Sequence, residues 1–190
     1  AERAYEINEA AARASRLAAG DRAWVIGSIG PTGKMLLMGD VTEQQLYDSF
    51  KEQAAALEKG GADAVCIETM SDTEEACLAI KAARENTNLE VICTFTFDKT
   101  ARGAYRTMMG VTPEKALTAI KEAGADIAGT NCGNGMERMI EIVTRMRNED
   151  KDIPLLVHAN AGLPRRMEGV EVFPDTPQDM AVLTPQLVKA

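Results

Sequence analysis

The sequence lacks the features by which proteins bind nucleic acids or enter membranes. Its 190 residues carry 21 Lys and Arg against 29 Asp and Glu, a formal net charge of −8. Because nucleic acids and anionic membranes attract clustered basic side chains, we expect neither as a main partner. No apolar run approaches the roughly 20 residues that span a bilayer. The first segment is charged and rich in alanine, so we expect no signal peptide.

Cysteine and histidine are also scarce. There are four cysteines and one histidine, and no two cysteines form a C-x-x-C pair. Single, widely spaced cysteines in a chain of this size indicate reduced thiols rather than a disulfide framework, and we therefore expect a cytoplasmic protein. The 45% hydrophobic and 26% charged content is typical of a globular protein. This length suits one domain, residues 1–190.

Apolar runs alternate with helical patterns along the chain. The patterns predict helices at 4–19, 42–60, 71–83, 113–124, 135–147 and 176–190, with Thr42 or Asp40 as the cap of the second. The apolar runs predict strands at 23–29, 64–68, 90–97, 127–131 and 153–159. Strands separated by crossover helices are parallel and covered on their faces. Two architectures therefore fit, an open doubly wound sheet and a (β/α)₈ barrel.

The glycine-rich stretch after the first strand does not favour the doubly wound sheet. Gly27-Ser28-Ile29-Gly30 lacks the third glycine and the acidic residue of a dinucleotide fingerprint, and Gly30-Pro31-Thr32-Gly33-Lys34 lacks the spacing of a phosphate-binding loop. Polar residues instead collect at the predicted strand ends, which in a barrel face one mouth. They are Ser28, Glu68, Thr96, Asn131, Cys132 and Asn160. The (β/α)₈ barrel is therefore favoured.

These strand-end residues have structural alternatives. Ser28 and Thr96 can simply terminate strands and cap loops. Glu68 is different, because a carboxylate at the end of a buried strand requires a partner or a ligand. Cys132 closes the stretch Gly129-Thr130-Asn131-Cys132-Gly133 at the carboxyl end of a strand, where α/β proteins place their chemistry. Its alternative is a small apolar residue that fills the core.

A cysteine–histidine nucleophile pair is one competing hypothesis. His158, the only histidine, lies on the last predicted strand, two residues before Asn160. An imidazole beside Cys132 would activate its thiol, whereas a single strand histidine is more often a satisfied core residue. Because such a hydrolase needs no metal, it would keep its activity in the presence of chelators, whereas a metal-dependent enzyme would lose it.

Five stretches together resemble the homocysteine S-methyltransferase family, the zinc-dependent domain found in cobalamin-dependent methionine synthase and its relatives. They are residues 27–33, 67–72, 94–98, 129–132 and 160–162, in family order across nearly the whole chain. The resemblance implies a (β/α)₈ barrel, here about five parallel strands with their helices, whose mouth holds zinc on three cysteine thiolates. Cys132 matches the first zinc ligand and is the catalytic candidate, and Glu68 matches the residue that binds the substrate's amino group. Asn131, Asn160 and Ser28 are further candidates for substrate binding.

The sequence departs from the family in two motifs. Family members begin with an Asp-Gly-rich strand and end with a Gly-Gly-Cys-Cys strand, and this sequence contains neither. Two zinc ligands are therefore expected outside the chain, while Cys66, Cys77 and Cys93 are expected to be structural. We expect the 190 residues alone neither to bind zinc tightly nor to turn over, which metal analysis can test. Open sheet edges also predict a homo-oligomer, a partner chain or covering flanking segments.

The implied reaction is methyl transfer to the thiol of homocysteine, giving methionine (EC 2.1.1). A thiol on zinc is deprotonated, and the open position of a three-cysteine site would take the substrate sulfur. The thiolate would then attack the methyl carbon of a donor. Methylcobalamin, S-methylmethionine and betaine all serve as donors in proteins resembling this one, and another small thiol can take the place of homocysteine.

Two further functions fit the sequence. One is a pterin-binding barrel methyltransferase that uses methyltetrahydrofolate, since pterin sites also carry Asp and Asn at strand ends. The other is a non-catalytic barrel that only binds a corrinoid protein. Ligand-induced changes in melting temperature distinguish homocysteine from the folate, and binding without turnover identifies the non-catalytic barrel.

Overall fold

Six α-helices and nine β-strands make up the part of the chain that the computed structural model describes, residues 2–167 and 169–190. None of these described helices is long and apolar enough to cross a membrane. The helices are α1 (Ala4–Ala19), α2 (Glu43–Lys59), α3 (Thr73–Asn86), α4 (Pro113–Ala123), α5 (Met136–Glu149) and α6 (Pro177–Lys189). The strands are β1 (Ile26–Ile29), β2 (Ala64–Met70), β3 (Glu90–Phe95), β4 (Asp98–Lys99), β5 (Tyr105–Arg106), β6 (Ile127–Asn131), β7 (Leu155–His158), β8 (Arg165–Met167) and β9 (Val170–Val172).

Five strands form one parallel sheet in the order β1-β2-β3-β6-β7, which is also their order along the chain. Because parallel crossovers are right-handed in about 98% of cases, a sheet built in this order carries its helices on one face. A doubly wound sheet instead reverses its strand order at a switch point. The predicted barrel-type α/β fold, with five parallel strands and their helices, is confirmed.

The two faces of the sheet bury different sets of side chains, because successive residues of a strand point to opposite faces. Val65 and Ile67 of β2 and Cys93 of β3 belong to a large core that also contains the helix residues Phe50 and Ile80. The opposite side is called the inner face here, since in a barrel it would line the interior. Its apolar residues are Ala64, Cys66 and Ile92, with Ile127 and Leu156 packed against them.

Threonine side chains begin three of the helices. Thr42 and Gln45 form a reciprocal capping box at the start of α2, and Thr176 and Asp179 form another at α6. Thr112 accepts a backbone N–H at the start of α4. Each cap satisfies N–H groups that the first turn of a helix leaves without an intrahelical partner. Of the two predicted caps for the second helix, Thr42 is the one that is used.

Arg16 ties α1 to the amino-terminal end of the sheet. Its guanidinium donates to the Gly61 carbonyl at 3.0 Å and forms an ion pair with Asp63. Asp63 also accepts the backbone N–H of Val25 at 2.6 Å. The pKa of the Asp63 carboxyl is below its usual value, mainly because of the hydrogen bond from Val25 and also because of the Arg16 guanidinium beside it. The first helix is therefore fixed at the end of the sheet opposite to the predicted mouth.

Two hairpins and several strand ends differ from the sequence prediction. β4 pairs with β5 and β8 pairs with β9, both antiparallel, and the second hairpin lies inside the segment predicted as a polar connection. Strands of two or three residues are too short to show a periodic pattern. Residues 23–25, 96–97, 153–154 and 159 lie outside the sheet, whereas β2 continues to Met70.

The edge of the sheet beside β1 exposes large apolar side chains. Trp24 and Ile26 are 83% and 50% exposed. Apolar side chains at an edge strand are typical of a surface that further protein covers. Self-association or a partner chain at this edge stays a prediction, and light scattering on the purified chain tests it.

Candidate functional site

Three of the predicted site residues meet around one carboxylate on the inner face. Ser28 is on β1, Glu68 on β2 and Asn131 on β6. Ser28 Oγ donates to Glu68 Oε1 at 2.6 Å, and Asn131 Nδ2 donates to Glu68 Oε2 at 3.3 Å. Both donors are neutral, and among the described residues no Lys or Arg forms an ion pair with Glu68. The carboxylate is therefore free to pair with a cationic ligand.

A β-bulge shapes the strand at Glu68. The register between β2 and β3 shifts between Ile67 and Met70, so that Glu68 and Thr69 together oppose one residue of β3. Thr69 has a φ of 62°, in the left-handed region that β-branched residues rarely adopt. Such a conformation costs about 1 to 3 kcal/mol and persists only where its surroundings hold it. Bulges next to active sites re-aim side chains, and here the bulge adjoins the carboxylate.

Cys132 presents an exposed thiol one residue beyond the end of β6. Its φ of 57° is also left-handed. Its backbone N–H donates to the His158 carbonyl at 3.1 Å, and its own carbonyl accepts the Asn134 N–H at 2.8 Å. Asn131 Nδ2 donates to its Sγ at 3.3 Å. The thiol and the Glu68 carboxylate therefore share one amide group as a hydrogen-bond donor.

Asn160 approaches this site only through its backbone. Its N–H donates to the Asn134 carbonyl at 2.9 Å, and its carbonyl accepts the Gly162 N–H at 2.8 Å. Within the described ranges its half-buried side chain makes no hydrogen bond. The role of Asn160 in substrate binding stays a prediction.

His158 contacts Cys132 through its carbonyl and not through its imidazole. It pairs with Asn131 in the register of β6 and β7, and its side chain is exposed. Across residues 2–167 and 169–190, no hydrogen bond joins the imidazole to the Cys132 thiol. The geometry therefore does not favour a cysteine–histidine nucleophile pair.

Two threonines of the third strand and its loop support Asn131. Thr94, fully buried, donates from Oγ1 to Asn131 Oδ1 at 2.8 Å, and Thr96 donates from Oγ1 to the Asn131 carbonyl at 2.8 Å. Sequence analysis did not select Thr94. The sign of its role in the sequence was a hydroxyl side chain among the apolar residues of β3. Among the described residues, the Thr96 hydroxyl bonds only a backbone carbonyl, as the structural alternative for it predicts.

Glu75 fixes the loop that follows β1, and sequence analysis missed it as well. Its carboxylate is 5% exposed and accepts the backbone N–H and the hydroxyl of Thr32 at 2.8 and 2.6 Å. Glu75 lies on the buried stripe of α3 with Ala79 and Ala83. A charged residue at helical spacing among buried alanines was the signal in the sequence, because an isolated buried carboxylate requires donors.

Cys132 is expected to be alkylated at least about tenfold faster than Cys66 and Cys93 of the folded chain, and also faster than Cys77. Burial raises the pKa of Cys66 to about 11, that of Cys93 well above its usual value, and that of Cys77 less strongly. The thiolate is the reactive form, and each unit of pKa lowers its fraction about tenfold at neutral pH. Peptide mapping by mass spectrometry after iodoacetamide treatment measures the four rates. Similar rates in the folded chain would contradict this, whereas similar rates in urea are expected.

The described residues do not fit a zinc site by themselves. No group of three His, Cys, Asp or Glu side chains that could hold a metal ion occurs in residues 2–167 and 169–190. Protein zinc sites use three or four such ligands, and Cys132 offers one thiol at the mouth. Cys66 lies deeper on the inner face, and Cys93 belongs to the helix-facing core, so neither supplies a second.

Comparison with known proteins relates the chain to one family. A family model described as homocysteine S-methyltransferase matches residues 1–190. Methionine synthase from Mycobacterium tuberculosis (strain ATCC 25618 / H37Rv) is 30% identical over 164 residues, which are 83% of this chain and 13% of that protein. Methionine synthase from Mycobacterium leprae (strain TN) gives the same identity and coverage. The chain thus spans about an eighth of the length of these relatives.

Solved structures support the fold. The apo form of the homocysteine methyltransferase MmuM from Escherichia coli superposes with a TM-score of 0.61 at 19% identity, covering 79% of this chain and 55% of that one. Its metallated form gives a TM-score of 0.58 at 20% identity, covering 79% of this chain and 54% of that one. At this level of identity the likeness concerns the arrangement of strands and helices.

Proposed function

The chain belongs to the homocysteine S-methyltransferase family, and from this premise we propose that its inner face binds homocysteine for transfer of a methyl group to the thiol, giving methionine. The observation that carries the proposal is the Glu68 carboxylate, held by Ser28 and Asn131 beside the exposed thiol of Cys132. Residues 1–190 are proposed to act as one partial barrel domain.

Glu68 is proposed to bind the ammonium group of homocysteine. Its two oxygens accept hydrogen bonds from neutral donors, which fix their direction and leave the negative charge uncompensated. An ammonium group adds the charge-assisted hydrogen bonds that such a carboxylate lacks. Because Glu68 is only half-buried, a ligand can approach it from the inner face. Glu68 Oε2 and Cys132 Sγ contact the same Asn131 nitrogen, so an amino group held by Glu68 would lie near the Cys132 thiol.

Cys132 is proposed as one ligand of zinc. The described residues do not complete such a site. The contribution of this chain is binding and orientation: Glu68 holds the amino group, and Asn131 holds Glu68 and the Cys132 thiol in fixed relation. Methylcobalamin is one donor that the resemblance implies, and no described contact favours it over the others.

Homocysteine is expected to raise the melting temperature of the chain, and methyltetrahydrofolate is not. A ligand that binds only the folded state stabilises it by about 2.7 kcal/mol at a hundred times its dissociation constant. For a chain of this size that corresponds to roughly 5 to 10 °C. Scanning calorimetry with each ligand separately makes the measurement.

The same measurement decides between the competing functions. A rise with the folate alone would favour a pterin-binding barrel. No response to either ligand, together with binding of a corrinoid protein, would favour the non-catalytic barrel. Either result would contradict the proposed homocysteine site.

A further inference from the structure

The Asn131 side chain is only 1% exposed, and it makes more hydrogen bonds within the described site than any other side chain. We propose that it is a positioning residue, whose amide orients the Cys132 thiol and the Glu68 carboxylate together instead of touching the substrate. The inference rests on the proposed function, because it concerns the positions of two groups in the same proposed homocysteine site. Its grounds are the hydrogen bonds of one buried amide.

The direction of the amide is fixed by its oxygen. Asn131 Oδ1 accepts the backbone N–H of Thr69 at 3.1 Å and the hydroxyl of Thr94 at 2.8 Å. A backbone N–H can only donate, so the amide oxygen, and not the NH₂ group, must lie against the backbone N–H of Thr69. The β-bulge disturbs the regular hydrogen-bond ladder at Thr69. The oxygen of Asn131 supplies a partner for the Thr69 N–H there, which is a second reason for this orientation of the amide.

The NH₂ group then faces three acceptors. Nδ2 lies 2.8 Å from Thr69 Oγ1, 3.3 Å from Glu68 Oε2 and 3.3 Å from Cys132 Sγ. Two hydrogens serve these three atoms. The shortest contact takes one hydrogen, and the carboxylate and the sulfur share the other. Asn131 therefore couples the group proposed to bind the ammonium to the thiol.

The amide also holds the two strained residues of the site. Thr69 and Cys132 are the non-glycine residues with positive φ in the described part of the chain, and Asn131 bonds both. Left-handed conformations of such residues persist only where neighbouring groups impose them. Loss of the amide would let the bulge and the cysteine turn relax together, which would move the carboxylate and the sulfur.

Asn131→Asp is the variant that tests the donor. It keeps the shape and the accepting oxygen of the amide but replaces the NH₂ group by an oxygen that cannot donate when ionised. Both this variant and Asn131→Ala remove the hydrogen bond that holds the sulfur in one orientation. The alkylation profile of Cys132, its rate with iodoacetamide over a range of reagent concentrations at one fixed pH, is expected to fall by about twofold or more in each.

Asn86→Ala is the matched control. Asn86 is a half-buried amide on α3 that donates to Tyr47 Oη at 2.9 Å and to the Ala82 carbonyl at 2.8 Å, away from the site. Its loss is expected to lower stability and to leave the alkylation profile of Cys132 unchanged. An unchanged profile in folded Asn131→Asp would overturn the proposal, because it would reduce Asn131 to a structural role.

Thr69→Ala keeps the proposal testable if both Asn131 variants fail to fold. It removes the acceptor at 2.8 Å and frees that hydrogen for the sulfur and the carboxylate. The alkylation rate of Cys132 is then expected to rise by about twofold or more, the opposite direction to that of Asn131→Asp. A fall or no change would contradict the proposal. Homocysteine failing to raise the melting temperature of the unaltered chain would defeat the proposed function without changing these alkylation results.

Discussion

Gly129→Ala is expected to destabilise the fold by about 3 kcal/mol or more and to lower the melting temperature by roughly 6 to 12 °C. Gly129 lies in the middle of β6, between Thr94 of β3 and Leu156 of β7. A Cβ at this position would overlap the backbone carbonyl of Leu156 and crowd the Thr94 side chain at 3.1 Å. A carbonyl within a sheet ladder cannot move aside without breaking its hydrogen bonds, so the strands must separate. Thermal unfolding followed by circular dichroism measures the change.

Gly30→Ala is the matched control for this substitution. Gly30 follows β1 in an exposed loop, and a Cβ there would meet nothing within 4 Å. Its substitution is expected to change stability by no more than about 0.5 kcal/mol. Equal melting temperatures for the two variants would mean that β6 is not packed between its neighbours as described. The experiment thus tests the strand that delivers Asn131 and Cys132 to the mouth.

The larger elements of the fold follow from the sequence because their signals are long and repeated. The five strands of the parallel sheet and the helices between them are buried runs and amphipathic stretches of ordinary length, and β6 spans Ile127–Asn131 as predicted. Capping residues place the helix starts. The two hairpins, β4–β5 and β8–β9, could not be predicted, since tertiary contacts and not periodicity stabilise strands of two or three residues.

The grouping of Ser28, Glu68 and Asn131 could be predicted only as far as strand ends meeting at one mouth. Their hydrogen bonds depend on the bulge at Glu68 and Thr69, and no residue type in the sequence requires a bulge there. Positive φ at Thr69 was hidden for the same reason, because glycine or asparagine would be the usual signal for it. Sequence patterns therefore predict which residues lie at the mouth, whereas the backbone conformation, including the bulge, determines which of their side chains are in contact.

Glu68 and Asn131 also differ in a way that the sequence does not show. Both are polar strand-end residues, and both were selected as substrate-binding candidates. Asn131 is 1% exposed with its amide occupied by protein groups, whereas Glu68 is half-buried. Burial depends on what covers each residue from neighbouring strands, here Thr69 and Thr94. The two residues therefore have different proposed tasks, orientation for Asn131 and contact with the substrate for Glu68.

Glu68→Gln is expected to weaken homocysteine binding by about 10- to 150-fold. Gln keeps the size of the side chain and can still accept from Ser28, but it loses the negative charge that would pair with the ammonium group. Hydrogen bonds to charged groups contribute about 1.5 to 3 kcal/mol, and 1.4 kcal/mol is a factor of ten in affinity. Titration calorimetry with homocysteine measures the loss. Glu74→Gln, which removes an exposed carboxylate from the first turn of α3, is expected to leave the affinity unchanged.

A second ligand locates the effect of Glu68→Gln at the ammonium group. 4-Mercaptobutanoate has the thiol and the carboxylate of homocysteine but no amino group, so it cannot form the proposed pair. It should bind the unaltered chain more weakly than homocysteine and should lose no further affinity in the variant, because paired groups are non-additive. Equal losses for the two ligands would mean that Glu68 only supports the fold of the mouth. A loss confined to homocysteine would assign the carboxylate on β2 to the amino group of the substrate.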